Sequence, residues 1–168
     1  MLPAAILFDL DDTLISPHLR RKTFWNDAIR QVWDETNDGF ENLPKNIDFL
    51  VQQIDKAAQI FWSDPNRHKT GRLNLRKARY EICNNGIGLD SQFDDDIRWA
   101  IADKCGQLMF EKTTLYPDAI STLNKLRHNK VKLALVTNGT SSAQRKKINK
   151  FDLENHFDHI QIEGEAGI

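Results

Sequence analysis

The chain has 168 residues, with 23 Lys and Arg against 24 Asp and Glu, a formal net charge of −1 and 40% hydrophobic residues, which suits one core domain with a modest insertion. So even a balance argues against a nucleic-acid binder or a membrane-surface protein as a whole. No apolar run approaches the ~20 residues that span a bilayer, and no basic region precedes the first apolar segment as in a secretion signal.

The two cysteines, Cys83 and Cys105, form no Cys-x-x-Cys pair. Reduced, buried thiols in a cytoplasmic protein are the expectation, with a disulfide between them left open.

The first apolar run, Ile6-Leu7-Phe8, predicts a strand buried on both faces. It ends in Asp9, Asp11 and Asp12. Acids at the tip of a buried strand are unfavourable unless a cation or hydrogen-bond donors receive them. In open α/β sheets, ligands bind just beyond the carboxyl ends of the strands. Asp9 and Asp11 point to one side while the backbone stays extended. Such a pair can share a divalent cation, or divide the roles of nucleophile and general acid. An acidic turn with Asp12 as a cap is the other reading.

From about residue 20 to 112 the pattern is helical and holds all four tryptophans, Trp25, Trp33, Trp62 and Trp99. One helix is predicted through Phe24/Trp25, Ala28/Ile29 and Val32/Trp33. A second carries Ile47 to Phe61, with Pro44 ahead and Pro65 after it. A third runs from about Leu73 to Asn84 and stops at Asn84-Asn85-Gly86. A fourth spans about 92–112, with Ser91 and Asp94 as a capping box. Four helices in succession predict a small bundle. Asp94-Asp95-Asp96 suits a helix N-terminus.

The chain then alternates strand and helix. Tyr116-Pro117-Asp118 opens a helix with Ala119, Ile120, Leu123 and Leu126 facing inward. Val131 to Val136 is a second strand ending in Thr137-Asn138-Gly139. Ser141 and Gln144 read as the capping box of a helix reaching about residue 150, and 157–163 is a third strand. This order predicts a parallel sheet.

Asp9-Leu10-Asp11-Asp12-Thr13, preceded by its apolar run, resembles motif I of the haloacid dehalogenase-like hydrolase superfamily in its phosphatase form. Val136-Thr137-Asn138-Gly139 resembles motif II, and Leu115-Tyr116-Pro117-Asp118-Ala119 resembles the return from cap to core. The resemblance covers essentially the whole chain. It implies a Rossmann-like parallel core, residues 1–16 and 115–168, with an inserted helical cap, 17–114. It also implies a Mg²⁺-dependent phosphatase-type hydrolase of small phosphorylated metabolites. Asp9 would be the nucleophile and, with the main-chain carbonyl of Asp11, a metal ligand. The Asp11 side chain would be general acid and base. Thr137 and Asn138 would bind the phosphoryl group and Thr13 would steady the loop. A sugar phosphomutase and a non-catalytic remnant that binds metal, phosphate or a partner protein are the alternatives.

The family pattern continues with a Lys-Pro motif III and an acidic motif IV, which these 168 residues do not contain. A shortened, poorly active form is therefore expected, prone to self-association through Ile6-Leu7-Phe8 as an exposed edge. Other charged groups read as solvent-facing: His156 and His159 as loop residues rather than metal ligands, and Arg145-Lys146-Lys147 with Lys150 as a solvated helix face. Arg20-Arg21-Lys22 reads as an attractor for an anionic substrate.

Overall fold

The structure is a computed structural model that describes residues 2–17, 19, 21–36, 46–88 and 93–167. The chain divides into two compact units, residues 1–19 with 113–168, and residues 20–112.

The first unit holds a parallel sheet in the order β1-β2-β3, with β1 at Ala5–Phe8, β2 at Lys132–Thr137 and β3 at His159–Ile162. Ala5 pairs with Lys132 and Phe8 with Leu135, while Thr137 pairs with Ile162. All three strands therefore run toward the same edge, where Asp9, Thr137 and Glu163 sit. The helix at Ala119–His128 (labelled α6 in chain order, after five in the other unit) precedes β2, and α7, Ser141–Lys150, joins β2 to β3. Leu123, Leu133, Leu135, Ile148, Leu153 and Ile162 form the centre of this unit's core, and Leu10, Leu14 and Ile15 close it from the strand tip. A single turn of helix, α8 at Glu163–Ala166, follows β3.

β1 departs from the prediction of a strand buried on both faces. Ile6 and Phe8 are half-buried, but Leu7 is 73% exposed. Among the described residues β1 lies at an edge of the sheet, pairing only with β2, and nothing in this unit covers its Leu7 face.

The second unit has its own core. It contains α1 (Arg21–Thr36), α2 (Ile47–Ser63), α3 (Pro65–Gly71), α4 (Leu75–Ile87) and α5 (Asp95–Lys112). The core holds Phe24, Trp25, Ile29, Leu50, Ile54, Ile82, Phe93 and Ile101. α2 packs on α4, α1 on α5, and α4 on α5. Cys83 and Cys105 are buried and free, and burial pushes the Cys105 thiol up to about 12.

Several local readings need correction. Pro65 follows α2 as expected, and it also opens a further helix, α3, which Asp64 caps by accepting from the Asn66 and Arg67 amides at 2.8 and 3.0 Å. Gly86 lies inside α4, which runs on to Ile87 before Gly88 (φ 67°) ends it. Its lack of a side chain is what lets α2 approach, since a Cβ there would lie 2.4 Å from Ile54 Cα. Asp94 caps α5 itself by accepting from the Ile97 amide at 2.9 Å; Ser91, the other half of the expected box, lies outside the described residues. Thr140 rather than Ser141 caps α7, accepting from the Ala143 amide at 3.3 Å. Arg21 and Lys22 pair with the buried Asp55, at 2.8 and 3.3 Å, rather than standing ready for an anion. Arg20 lies outside the described residues.

Two measurements check this packing. Gly86→Ala gains about 1 kcal/mol of helix propensity, yet it forces a methyl group against backbone. A net loss of about 1–3 kcal/mol in urea denaturation is therefore expected, and a stabilised variant would show the α2–α4 contact to be looser. The second concerns Glu165, whose carboxyl is held down to about 2 by hydrogen bonds from Arg145 and then Ser141. A depressed carboxyl contributes stability above its unfolded value of 4.5 and loses it as pH falls toward 2. The difference in denaturation midpoint between the native chain and Glu165→Gln is therefore expected to shrink across that window. A difference independent of pH would refute it.

Candidate active site

The site is built from two strand tips and one helix. Beyond Phe8 the backbone turns sharply. The Leu14 and Ile15 amides donate to the Leu10 carbonyl at 3.0 and 3.2 Å, and the Asp12 amide donates to the Ile15 carbonyl at 2.8 Å. Asp12 sits in the left-handed region (φ 58°), which a short Asp side chain tolerates. Leu10, Leu14 and Ile15 are buried beneath this turn, so the acids between them stand outward on a fixed base. Thr13 is exposed within it.

Asp9 Oδ1 accepts from the Leu10 amide at 2.7 Å. Its carboxyl titrates above the ordinary carboxylate value. Desolvation is the largest cause, opposed by the Leu10 hydrogen bond. The charges of Asp11 and Asp12 raise it further, and Lys147 lowers it. Partial burial and the like charges of Asp11 and Asp12 thus oppose its ionised form.

Asp11 has a different environment. Lys147 Nζ lies 2.9 Å from its Oδ1 and 2.7 Å from its Oδ2. Gln144 Nε2 donates to Asp11 Oδ2 at 3.3 Å and to Thr137 Oγ at 2.6 Å. Thr137 is 3% exposed and Gln144 2%. One amide group therefore joins the turn after β1 to the end of β2.

The loop after Thr137 is held from β3. Glu163, itself buried, accepts from the Gly139 amide at 3.0 Å and from Asn138 Nδ2 at 3.4 Å. The Gly164 amide donates back to the Gly139 carbonyl at 3.0 Å. Gly139 has φ 116°, a conformation that disfavours any residue with a Cβ. A Cβ on Gly164 would lie 2.9 Å from that same carbonyl.

The structure thus brings Asp9, Asp11 and Thr137 to one strand edge, with Asn138 exposed at the start of the next loop. The Asp9 carboxylate and the Asp11 main-chain carbonyl are hard oxygen donors. That set suits a Mg²⁺ ion that keeps several waters and takes its remaining oxygens from a phosphate. Among the described residues no group of three His, Cys, Asp or Glu side chains could hold a metal, and His159 is exposed on β3.

Two residues of the site depart from the sequence pattern: Gln144, expected in a capping box, contacts Asp11 and Thr137, and Lys147, expected on a solvated face, turns to Asp11. Two further α7 cations find separate partners: Arg145 pairs with Glu165 at 2.7 Å, and Lys150 reaches the Thr113 carbonyl at 3.1 Å. A signal for Gln144 was present. Ile148 is the buried apolar residue of α7, and Gln144 lies one turn before it on the same face.

Comparison with known proteins gives a consistent picture. The chain is 27% identical over 172 residues to the pyrimidine 5'-nucleotidase YjjG of Escherichia coli, covering 97% of this chain and 64% of that protein. It is 26% identical over 167 residues to the glyceraldehyde 3-phosphate phosphatase of Methanopyrus kandleri, covering 98% and 63%. The chain therefore spans just under two-thirds of the length of these relatives. Among solved structures, YfnB of Bacillus subtilis bound to magnesium shares the fold with a TM-score of 0.60 at 20% identity, over 96% of this chain and 64% of that one. L-2-haloacid dehalogenase of Xanthobacter autotrophicus does so with a TM-score of 0.52 at 19% identity, over 98% and 58%. The family model described as haloacid dehalogenase-like hydrolase matches residues 3–168, and with the parallel sheet and the acids at its edge this establishes that the chain belongs to the haloacid dehalogenase-like hydrolases.

Proposed function

We propose that this chain carries the catalytic face of a Mg²⁺-dependent phosphatase acting on small phosphorylated metabolites. One observation carries the reading. A single buried amide, Gln144, contacts both Asp11 and Thr137, so the two motifs of the resemblance meet at one place. A phosphate monoester needs a nucleophile, a proton donor for the leaving oxygen, and donors for the phosphoryl oxygens. Asp9, Asp11, and Thr137 with the Asn138 amide are assigned these roles in that order.

In the first step an Asp9 carboxylate oxygen attacks phosphorus. The bond from phosphorus to the ester oxygen breaks, and the leaving alcohol takes a proton from Asp11. In the second, a water gives its proton to Asp11 and attacks the aspartyl-phosphate. The Asp9–phosphorus bond breaks, releasing phosphate and restoring both carboxyl groups. A magnesium ion held by Asp9 and the Asp11 carbonyl would offset the repulsion between carboxylate and phosphate dianion.

The helical unit is assigned the role of cap and the seat of substrate preference. Nucleotide and sugar-phosphate monoesters are the substrate classes to compare, by analogy with the named relatives.

Hydrolysis of p-nitrophenyl phosphate by the 168-residue chain, with and without Mg²⁺, is the test. Activity is expected to require the metal, to be lost to chelator and to return on its re-addition. Asp9→Asn is expected to reduce turnover to background. Asp11→Asn is expected to lower it by about 10²–10⁴-fold. Undiminished hydrolysis by Asp9→Asn would end the proposal, and isomerisation of a sugar phosphate without phosphate release would replace it with a mutase.

A further inference from the structure

Lys147 and Gln144 lie three residues apart on α7 and face the same strand edge. The Lys147 side chain is only 16% exposed, unusually little for a residue type that ordinarily keeps its charge in water. Its Nζ contacts both Asp11 oxygens. The Gln144 amide spends its two N–H groups on Asp11 and on Thr137.

Hydrogen-bond accounting gives this arrangement a direction. A threonine hydroxyl has one proton and two acceptor lone pairs. Gln144 donates to the Thr137 oxygen, so the hydroxyl proton is left for another acceptor. Asp11 receives donors on both oxygens, which fixes the plane of its carboxylate toward α7.

We propose that Gln144 and Lys147 form a positioning clamp: Gln144 sets Thr137 as a hydrogen-bond donor, and Lys147 holds the orientation of the ionised Asp11 carboxylate, the form that takes the proton from water in the second step. The role in turnover rests on the hydrolytic reading above. The clamp itself does not, and it is open to a measurement that involves no catalysis. A purely structural pair would behave differently: removing one partner of a buried polar contact would lower stability without a selective loss of kcat.

The experiment uses the 168-residue chain and five variants: Lys147→Met, Lys147→Arg, Gln144→Met, Gln144→Glu and, as a charge control on the exposed face of α7, Lys146→Met. Thermal melting confirms that each folds. The ¹³C resonance of the Asp11 carboxyl and the amide resonances of residues 10–15 are expected to move in Lys147→Met, to return toward native positions in Lys147→Arg, and to stay unchanged in Lys146→Met. With p-nitrophenyl phosphate and Mg²⁺, Lys147→Met and Gln144→Met are expected to lower kcat by about 10–100-fold with KM within about threefold, as for an interaction expressed in the transition state. Gln144→Glu, close to isosteric, is expected to lose more than Gln144→Met, because its carboxylate captures the Thr137 proton and repels Asp11. A packing role predicts the reverse order.

Unmoved Asp11 resonances in Lys147→Met overturn the clamp, whatever the kinetics. Native kcat in Lys147→Met and Gln144→Met overturns its part in turnover. If the native chain hydrolyses no phosphate ester, the hydrolytic reading fails alone, and the carboxyl resonance still decides whether Lys147 holds Asp11.

Discussion

The pairing of β1 with β2 is the constraint on which the site depends. Only four residues of β1 take part, Ala5 to Phe8 against Lys132 to Leu135. Parallel strands cannot be joined by a tight turn, and here the connection contains an entire helical unit. Closing so long a loop of flexible chain would carry an entropic penalty, although it grows only slowly with length. The helical unit reduces even that, because it has its own core and is not a random coil between the strands. The result is that Asp11 and Gln144, 133 residues apart, come within hydrogen-bonding distance.

Above that sheet edge the polar groups are arranged by burial. Leu10, Leu14 and Ile15 fill the space beneath the turn, so Asp9 and Asp11 are held outward. Asp9 meets one amide and two like charges, and its ionisation is opposed. Asp11 meets an ammonium and an amide, and both its oxygens are engaged. Two carboxyl groups two residues apart therefore sit in unlike surroundings, the condition under which such groups take on different chemical roles. Glu163 and Gly164 secure the far side by tying the loop after β2 to the end of β3.

The residues of the proposed site all fall in one of the two units. Every residue assigned to bond-making lies in the sheet unit, on rigid strand ends or the helix that follows. The helical unit supplies none of them. Some of its charged groups pair with one another, as Asp55 does with Arg21 and Lys22, and Asp103 with Arg76. Among the described residues no helix is long and apolar enough to cross a membrane.

The sequence by itself determined the α/β class, the inserted helices and the positions of the strands, because these rest on local periodicity and on Gly, Pro and Asp at element ends. It also pointed to the two acids after β1 and to Thr137 at the end of β2, through the resemblance of those two stretches to motifs of the haloacid dehalogenase-like hydrolases. Only the tertiary structure decided what Lys147 and Gln144 touch. A lysine in a cationic run and a glutamine three residues after a serine each have a common local explanation, and nothing nearby in sequence contradicts it. Their partners lie across the β1–β2 pairing, and side-chain direction across a sheet edge is a property of the assembled fold. Leu7 shows the same limit from the apolar side: its burial depends on what flanks β1, not on the residues beside it in the chain.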